Sequence, residues 1–236
     1  MALMPMQEIF ILLEDEKEVP LYRLNRWGRK TRGILAKLKK FGWAERFSKD
    51  EEAHYRITPK GEREIDKVLK ILKTKAEWDG RWRLVMFDIP ETQRTLRDRL
   101  RRELSKLGLG ILQASVWISP NDIKEEIEEI GKNLSLSDSI RFFEVTRNKT
   151  LDRNIIEKSW NLPEISDLYR KFNFQSGRII RTLDKSSNPS FAAKKLIFEY
   201  ALILTKDPVL PAEFRQKDEL RKIALENYLE LRKFAV

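Results

Sequence analysis

Few side chains in this sequence are of the kinds that make or break covalent bonds or hold metals. Among 236 residues there is no cysteine and a single histidine, His54. Disulfides, iron–sulfur clusters and thiol catalysis are therefore excluded, and a histidine-based zinc site or a Ser-His-Asp triad lacks its material. The carboxylate best placed for chemistry is Asp88, which follows the apolar run Leu84-Val85-Met86-Phe87 and precedes Ile89-Pro90. A carboxylate at a strand end can bridge Mg²⁺ with its symmetry mate in a dimer and support phosphodiester hydrolysis. The competing reading is that Asp88 caps the next helix or pairs with one of its arginines. That reading is preferred, because this strand holds no second acidic ligand and Pro90 crowds the site.

The stronger chemical signal is cationic. From Pro20 to Lys49 the chain carries ten Lys and Arg against one acid, Glu45, and the whole chain has a net charge of +10. Arg29, Lys30, Thr31, Arg32, Lys37 and Lys40 are the candidate residues for contact with double-stranded DNA. Arginine and lysine supply salt-dependent phosphate contacts, and residues at a helix N-terminus are placed to read base edges. A net positive charge alone points only to an anionic partner; the elements around these residues narrow the choice.

Apolar residues Ile9, Phe10, Leu12 and Leu13 predict a helix over Met6–Glu14, and a second runs from Pro20 through Trp27 until Gly28 stops it. The third, Lys30 to Phe41, places Ile34, Leu35, Leu38 and Phe41 on one stripe and its cations on the other. Two short strands, Trp43–Phe47 and Ala53–Ile57, flank a polar tip at Ser48–Glu52, with His54 as a surface residue of the second strand. Three helices followed by a hairpin is the order of a winged helix-turn-helix. Thr58-Pro59 then opens a fourth helix, by an N-cap and a proline at the first helical position, that leads toward Trp78.

The segment Trp78 to Pro120 is the hub of the chain. Arg81–Ile89 reads as a strand and Thr92–Leu107 as a helix striped with Leu96, Leu100, Leu104 and Leu107. Leu109–Gln113 and Ser115–Ser119 read as paired strands, Asp122–Leu134 as a helix and Ser139–Val145 as a last strand. The order βαββαβ is ferredoxin-like. Beyond Thr146 the pattern is helical: Asn154–Trp160, Glu164–Arg181, a surface loop at Asp184–Pro189, Ser190–Thr205, and Glu213 to the end. The expected architecture is α+β in three parts: a winged helix-turn-helix at 1–77, a ferredoxin-like domain at 78–147 and a helical domain at 148–236. No stretch is apolar enough to span a membrane and the N-terminus lacks a signal-peptide pattern, so the expected location is cytoplasmic with no membrane partner.

Several motifs resemble those of the PaaX family of bacterial transcriptional repressors. They are Trp78-Asp79-Gly80-Arg81-Trp82-Arg83, the stretch Phe87 to Glu91, and Val116 to Pro120. Further on, Trp160-Asn161-Leu162, Leu168 to Phe172 and Asp207 to Leu210 with Pro211 extend the likeness. The basic segment from Lys30 to Trp43 and Tyr55 to Gly61 extend it into the first module. The resemblance implies a homodimeric DNA-binding repressor acting on a palindromic operator, released by an acyl-CoA-type effector, with no cofactor and no enzymatic activity. The central block also resembles, more faintly, the ferredoxin-like nuclease of CRISPR spacer acquisition. There the position matching Asp88 binds a metal, and a metal-dependent nuclease is the alternative.

Overall fold

Five apolar residues in succession are too many for a helix buried on one side. In α1 (Pro5–Glu16) Ile9, Phe10, Ile11, Leu12 and Leu13 are all buried, so the middle of this helix is covered nearly all round. The computed structural model describes residues 3–73, 78–146, 153–208, 210 and 219–235. They form two compact units, one of Met1–Lys73, Tyr169–Leu202 and Leu220–Val236, the other of Thr74–Leu168 and Ile203–Glu219. The helices read from the sequence as one C-terminal domain thus divide between the two units, most of them grouping with the N-terminal residues.

In the first unit α1 leads into β1 (Glu18–Pro20) and α2 (Leu21–Leu24), then α3 (Thr31–Lys40), β2 (Ala44–Lys49), β3 (Glu52–Ile57) and α4 (Pro59–Leu69). The strands form an antiparallel sheet in the order β1-β3-β2. Strand β1 is three residues long and has no counterpart in the sequence reading. The second helix, expected to reach Trp27, ends at Leu24 and passes into a 3-10 turn over Asn25–Lys30. At the start of α4, Thr58 accepts a hydrogen bond from the Gly61 N–H at 3.1 Å and donates to the Gly42 carbonyl at 2.6 Å, tying helix to hairpin. The α-helix ends at Leu69 and a 3-10 turn follows to Lys73; the rest of the expected approach to Trp78 lies outside the described residues.

The core of this unit draws on both ends of the chain. Ile9, Leu12 and Leu13 of α1 and Leu35 and Leu38 of α3 share one cluster with Phe191 and Phe198 of α9 (Pro189–Lys206). Each such side chain contributes about 1.5–3 kcal/mol by leaving water. Helix α8 (Leu162–Ile180) and α10 (Glu219–Arg232) meet through a polar set: Asn173 donates to the Leu220 carbonyl at 2.8 Å, and Asn227 to the Ser176 hydroxyl at 2.9 Å. The sequence reading carries the last helix back to Glu213, and that first part lies outside the described residues.

The second unit holds β4 (Arg81–Phe87), α5 (Arg94–Lys106), β5 (Gly110–Gln113), β6 (Val116–Ser119), α6 (Lys124–Leu134) and β7 (Ile140–Thr146), in βαββαβ order. All pairings are antiparallel and the strand order is β5-β6-β4-β7. Alternation along β4 sends Val85 and Phe87 into a core with Trp117, Leu100, Leu104, Ile123 and Ile127. Trp82, of the opposite parity, meets Trp160 of α7 (Arg153–Trp160) at 6.1 Å between ring centroids. The Trp160 ring lies over Gly110, where a Cβ would stand 2.7 Å from its carbons, so only glycine admits this approach.

Arg83 is 3% exposed and is held at the sheet end by both oxygens of Asp79, at 2.8 and 2.5 Å, and by the Pro120 carbonyl at 3.3 Å. The Arg83 bond holds the Asp79 carboxyl below its ordinary value, with burial opposing the shift. A lowered carboxyl stabilises the fold above its unfolded value and loses that contribution as pH falls through the folded one. Asp79→Asn is therefore expected to lower the thermal midpoint at neutral pH. The gap from the parent chain should close as pH drops below about 4, which paired thermal scans across pH measure; a gap independent of pH would contradict it.

Candidate nucleic-acid interface

The basic face is built by the turn before α3. Gly28 takes φ 68° and ψ −148°, a conformation that disfavours side chains and redirects the chain into α3. Trp27 donates from its indole nitrogen to Glu8 of α1 at 2.7 Å, and the Arg26 guanidinium lies 4.0 Å above its ring. Thr31 is 1% exposed and its hydroxyl donates to the Leu24 carbonyl at 3.1 Å, fastening the first turn of α3 to the end of α2. Thr31 thus faces the core, apart from the other residues singled out with it.

Those others are brought together. Arg29 and Lys30 are exposed just before α3, and Arg32, Lys37 and Lys40 are exposed along it. Leu35 and Leu38 are buried on the opposite side. Arg32, Gly33, Ala36, Lys37 and Lys40 recur at three- and four-residue spacing and share one face. Its middle is Gly33 and Ala36, and a Cβ at Gly33 would meet nothing within 4 Å, so cations flank a low, open strip. Lys39, also exposed, adds a charge that the sequence reading of this helix omitted; its seven-residue spacing from Arg32 was the available signal. None of these cations is ion-paired among the described residues.

The hairpin beside it turns through Asp50 and Glu51, both with positive φ (51° and 63°), the two-residue geometry that matches strand twist. Arg46 is exposed on β2. Lys49 pairs with Glu18 at 3.1 Å, and Arg56 pairs with Glu45 while lying 5.2 Å from the Phe47 ring. His54 is half-buried against Phe47, 5.6 Å between centroids.

Acids near the N-terminus are neutralised from within the unit. Glu8 pairs with Lys195, Glu14 and Asp15 pair with Lys194 at 3.1 and 3.2 Å, and Glu16 pairs with Arg23. Burial pushes the Glu8 carboxyl up, but the bonds from Lys195 and Trp27 outweigh it and hold it below the ordinary range.

In the second unit Asp88 is exposed beyond the end of β4, and its backbone N–H donates to the Ser139 carbonyl at 3.0 Å. Among the described residues Asp88 makes neither the expected cap nor the expected arginine pair: Pro90 holds the N-cap position of the following turn and Gln93 that of α5, and Arg97 pairs with Glu91 at 2.7 Å. Among the described residues no three His, Asp or Glu side chains gather where a metal ion would be held. The described helices include none long and apolar enough to cross a membrane.

Residues 75–156 match the family model of the PaaX protein central Cas2-like domain. Of the motifs noted in the sequence, Trp78 to Arg83, Phe87 to Glu91 and Val116 to Pro120 fall inside the PaaX match, whereas α3 and its hairpin precede it. An uncharacterized protein of Mycobacterium tuberculosis, Rv0674, shares the fold, with a TM-score of 0.54 at 17% identity over 88% of this chain and 83% of its own. No curated protein matches the sequence.

The two kinds of residue at α3 should separate in stability measurements. Thr31→Val removes the buried bond to the Leu24 carbonyl and is expected to cost about 1–2 kcal/mol in urea unfolding. Lys37→Ala should stay within about 0.5 kcal/mol of the parent chain. Equal costs would contradict the assignment of Thr31 to the core and Lys37 to the surface.

Proposed function

We propose that this protein is a DNA-binding transcriptional regulator of the PaaX type. The N-terminal residues act as a winged helix-turn-helix, with α3 as the reading helix and the β2–β3 hairpin as the wing. The PaaX family is one of transcriptional regulators. The observation that carries the DNA assignment is the face of α3, where Arg29, Lys30, Arg32, Lys37 and Lys40 are exposed and, among the described residues, unpaired around the low strip at Gly33 and Ala36. A major groove admits an α-helix whose centre lies close to the base edges while flanking cations reach phosphates.

On this reading the protein is a repressor that binds a palindromic operator as a homodimer, its two copies of α3 about 34 Å apart in successive major grooves. Support for self-association comes from the central sheet, where Met86 and Phe143 are 41% and 47% exposed on the side opposite Val85 and Phe87. Release by an acyl-CoA-type effector belongs to this reading through the family resemblance alone.

The reading is tested by anisotropy titrations of duplex DNA over a salt series. Arg32→Ala with Lys37→Ala should weaken binding on the order of tenfold and lower the slope of log affinity against log salt by about 2. Unchanged affinity and slope would remove α3 from the interface. In parallel, cleavage of DNA or RNA with Mg²⁺ or Mn²⁺ that disappears in Asp88→Asn would replace the regulator with a nuclease.

A further inference from the structure

The turn that aims α3 is fastened to a distant part of the chain. Glu16, at the end of α1, accepts from Arg23 of α2 at 2.7 Å and from the side-chain amide of Asn188 at 2.9 Å. Asn188 stands at the N-cap position of α9, where its side-chain oxygen accepts from the Phe191 N–H at 2.9 Å. The Ser190 hydroxyl donates to Asp15 at 2.6 Å, and the Arg26 guanidinium lies 4.9 Å from the Phe191 ring. The connection from α8 to α9 is therefore seated beside α2 and the Asn25–Lys30 turn.

This connection is itself folded. Leu183 is 1% exposed and anchors a 3-10 turn, Leu183–Lys185, which the Ser186 N–H closes by donating to the Leu183 carbonyl at 2.9 Å. Arg181 and Lys185 are exposed on it and, among the described residues, make no ion pair, with one acid, Asp184, between them in the sequence. Across the Glu16 bridge, Tyr22 is 65% exposed on α2, and Arg26 is exposed in the turn that follows. A fixed turn thus presents two free cations beside the helix that precedes α3.

We propose that the α8–α9 connection is a second phosphate-binding surface for duplex DNA, on which Arg181 and Lys185 take backbone phosphates beside the groove that α3 enters. This rests on the DNA-binding reading above and adds to it a contact from the far half of the chain. Placement carries the argument. In a helix-turn-helix the first helix crosses the sugar-phosphate backbone while the second lies in the groove. Here α2 holds the first position, so the connection fastened to it through Glu16 and Asn188 stands by the phosphates. Because Leu183 and Asn188 fix the turn before DNA arrives, little ordering entropy is lost on contact. Asp184 works against the two cations, which gives the surface a test by sign of charge.

The test uses the full chain and a mixed-sequence duplex of about 40 base pairs, long enough for two half-sites a helical turn apart, in anisotropy titrations over a salt series. Arg181→Ala with Lys185→Ala should weaken binding on the order of tenfold and lower the slope of log affinity against log salt by about 2, as two lost phosphates require. Asp184→Asn should strengthen binding. Lys124→Ala with Lys132→Ala removes the same charge from exposed positions of α6 and should change neither affinity nor slope. The absence of cysteine gives a second readout that does not depend on affinity. Lys185→Cys carrying an aryl azide should cross-link to the duplex on illumination, and Lys132→Cys carrying the same group should not. If Arg32→Ala with Lys37→Ala weakens binding while the Arg181 and Lys185 pair does not, or if the azide at position 185 forms no cross-link, the surface is overturned and the reading of α3 stands. Equal losses from the two double variants, or weaker binding in Asp184→Asn, also overturn it. A parent chain that binds no duplex overturns the DNA-binding reading and this surface with it.

Discussion

The arrangement of the first unit depends on where opposite charges are allowed to meet. Its sequence holds a run of acids in α1 and a run of cations around α3, close enough in the chain to neutralise one another. Arg23 takes Glu16 and Lys49 takes Glu18, but the cations of α3 itself stay unpaired among the described residues while α9 supplies Lys194 and Lys195 to Glu8, Glu14 and Asp15. Asp15 is 5% and Lys194 20% exposed at the side chain, so these pairs are better shielded than ordinary surface pairs, which are worth at most about 1 kcal/mol. With its acids occupied, α1 supports α3 through apolar contacts without quenching the charge on the exposed face. A basic face keeps its field only if the nearest carboxylates are held elsewhere.

The second unit is organised by a different fixed charge. Arg83 would be costly to bury alone, and the bidentate bond from Asp79 together with the Pro120 carbonyl offsets that cost. Those partners come from the segment before β4 and from the end of β6, so the bond closes the sheet end at which the chain enters. Trp82 on the other side of the strand carries the load of α7 through Trp160. The motif Trp78 to Arg83 is therefore structural as a whole, and its specificity as a sequence signature follows from packing on both faces of one strand.

Much of this was legible in the residues. The amphipathic period of α3, the hairpin, the Thr58-Pro59 start of α4 and the βαββαβ order each follow from local rules that the fold obeys. Strand β1 was not, since three residues of Glu18-Val19-Pro20 hold no period, and it is defined only by pairing with β3. Thr31 misled for a related reason: a polar residue at a helix start suggests exposure, whereas the turn at Gly28 rotates it inward onto Leu24. The grouping of α9 with α1 was hidden because it joins residues some 175 positions apart, as in the 2.6 Å bond from Ser190 to Asp15. Periodicity describes which face of a helix is buried and is silent on what buries it.

That long-range grouping has a mechanical consequence. Helix α9 touches α1 in two ways at once: its lysines hold the acids, and Phe191 and Phe198 enter the core that Leu35 and Leu38 of α3 complete. Arg26, in the turn before α3, lies 4.9 Å from the Phe191 ring, so α9 also reaches the segment that aims the basic face. A close-packed core resists gradual deformation and passes a displacement to its neighbours. A movement of α9 by a fraction of a side chain must therefore break an ion pair to α1, open a void beside α3, or carry both with it. The last option keeps the pairs and the packing intact, so it costs least.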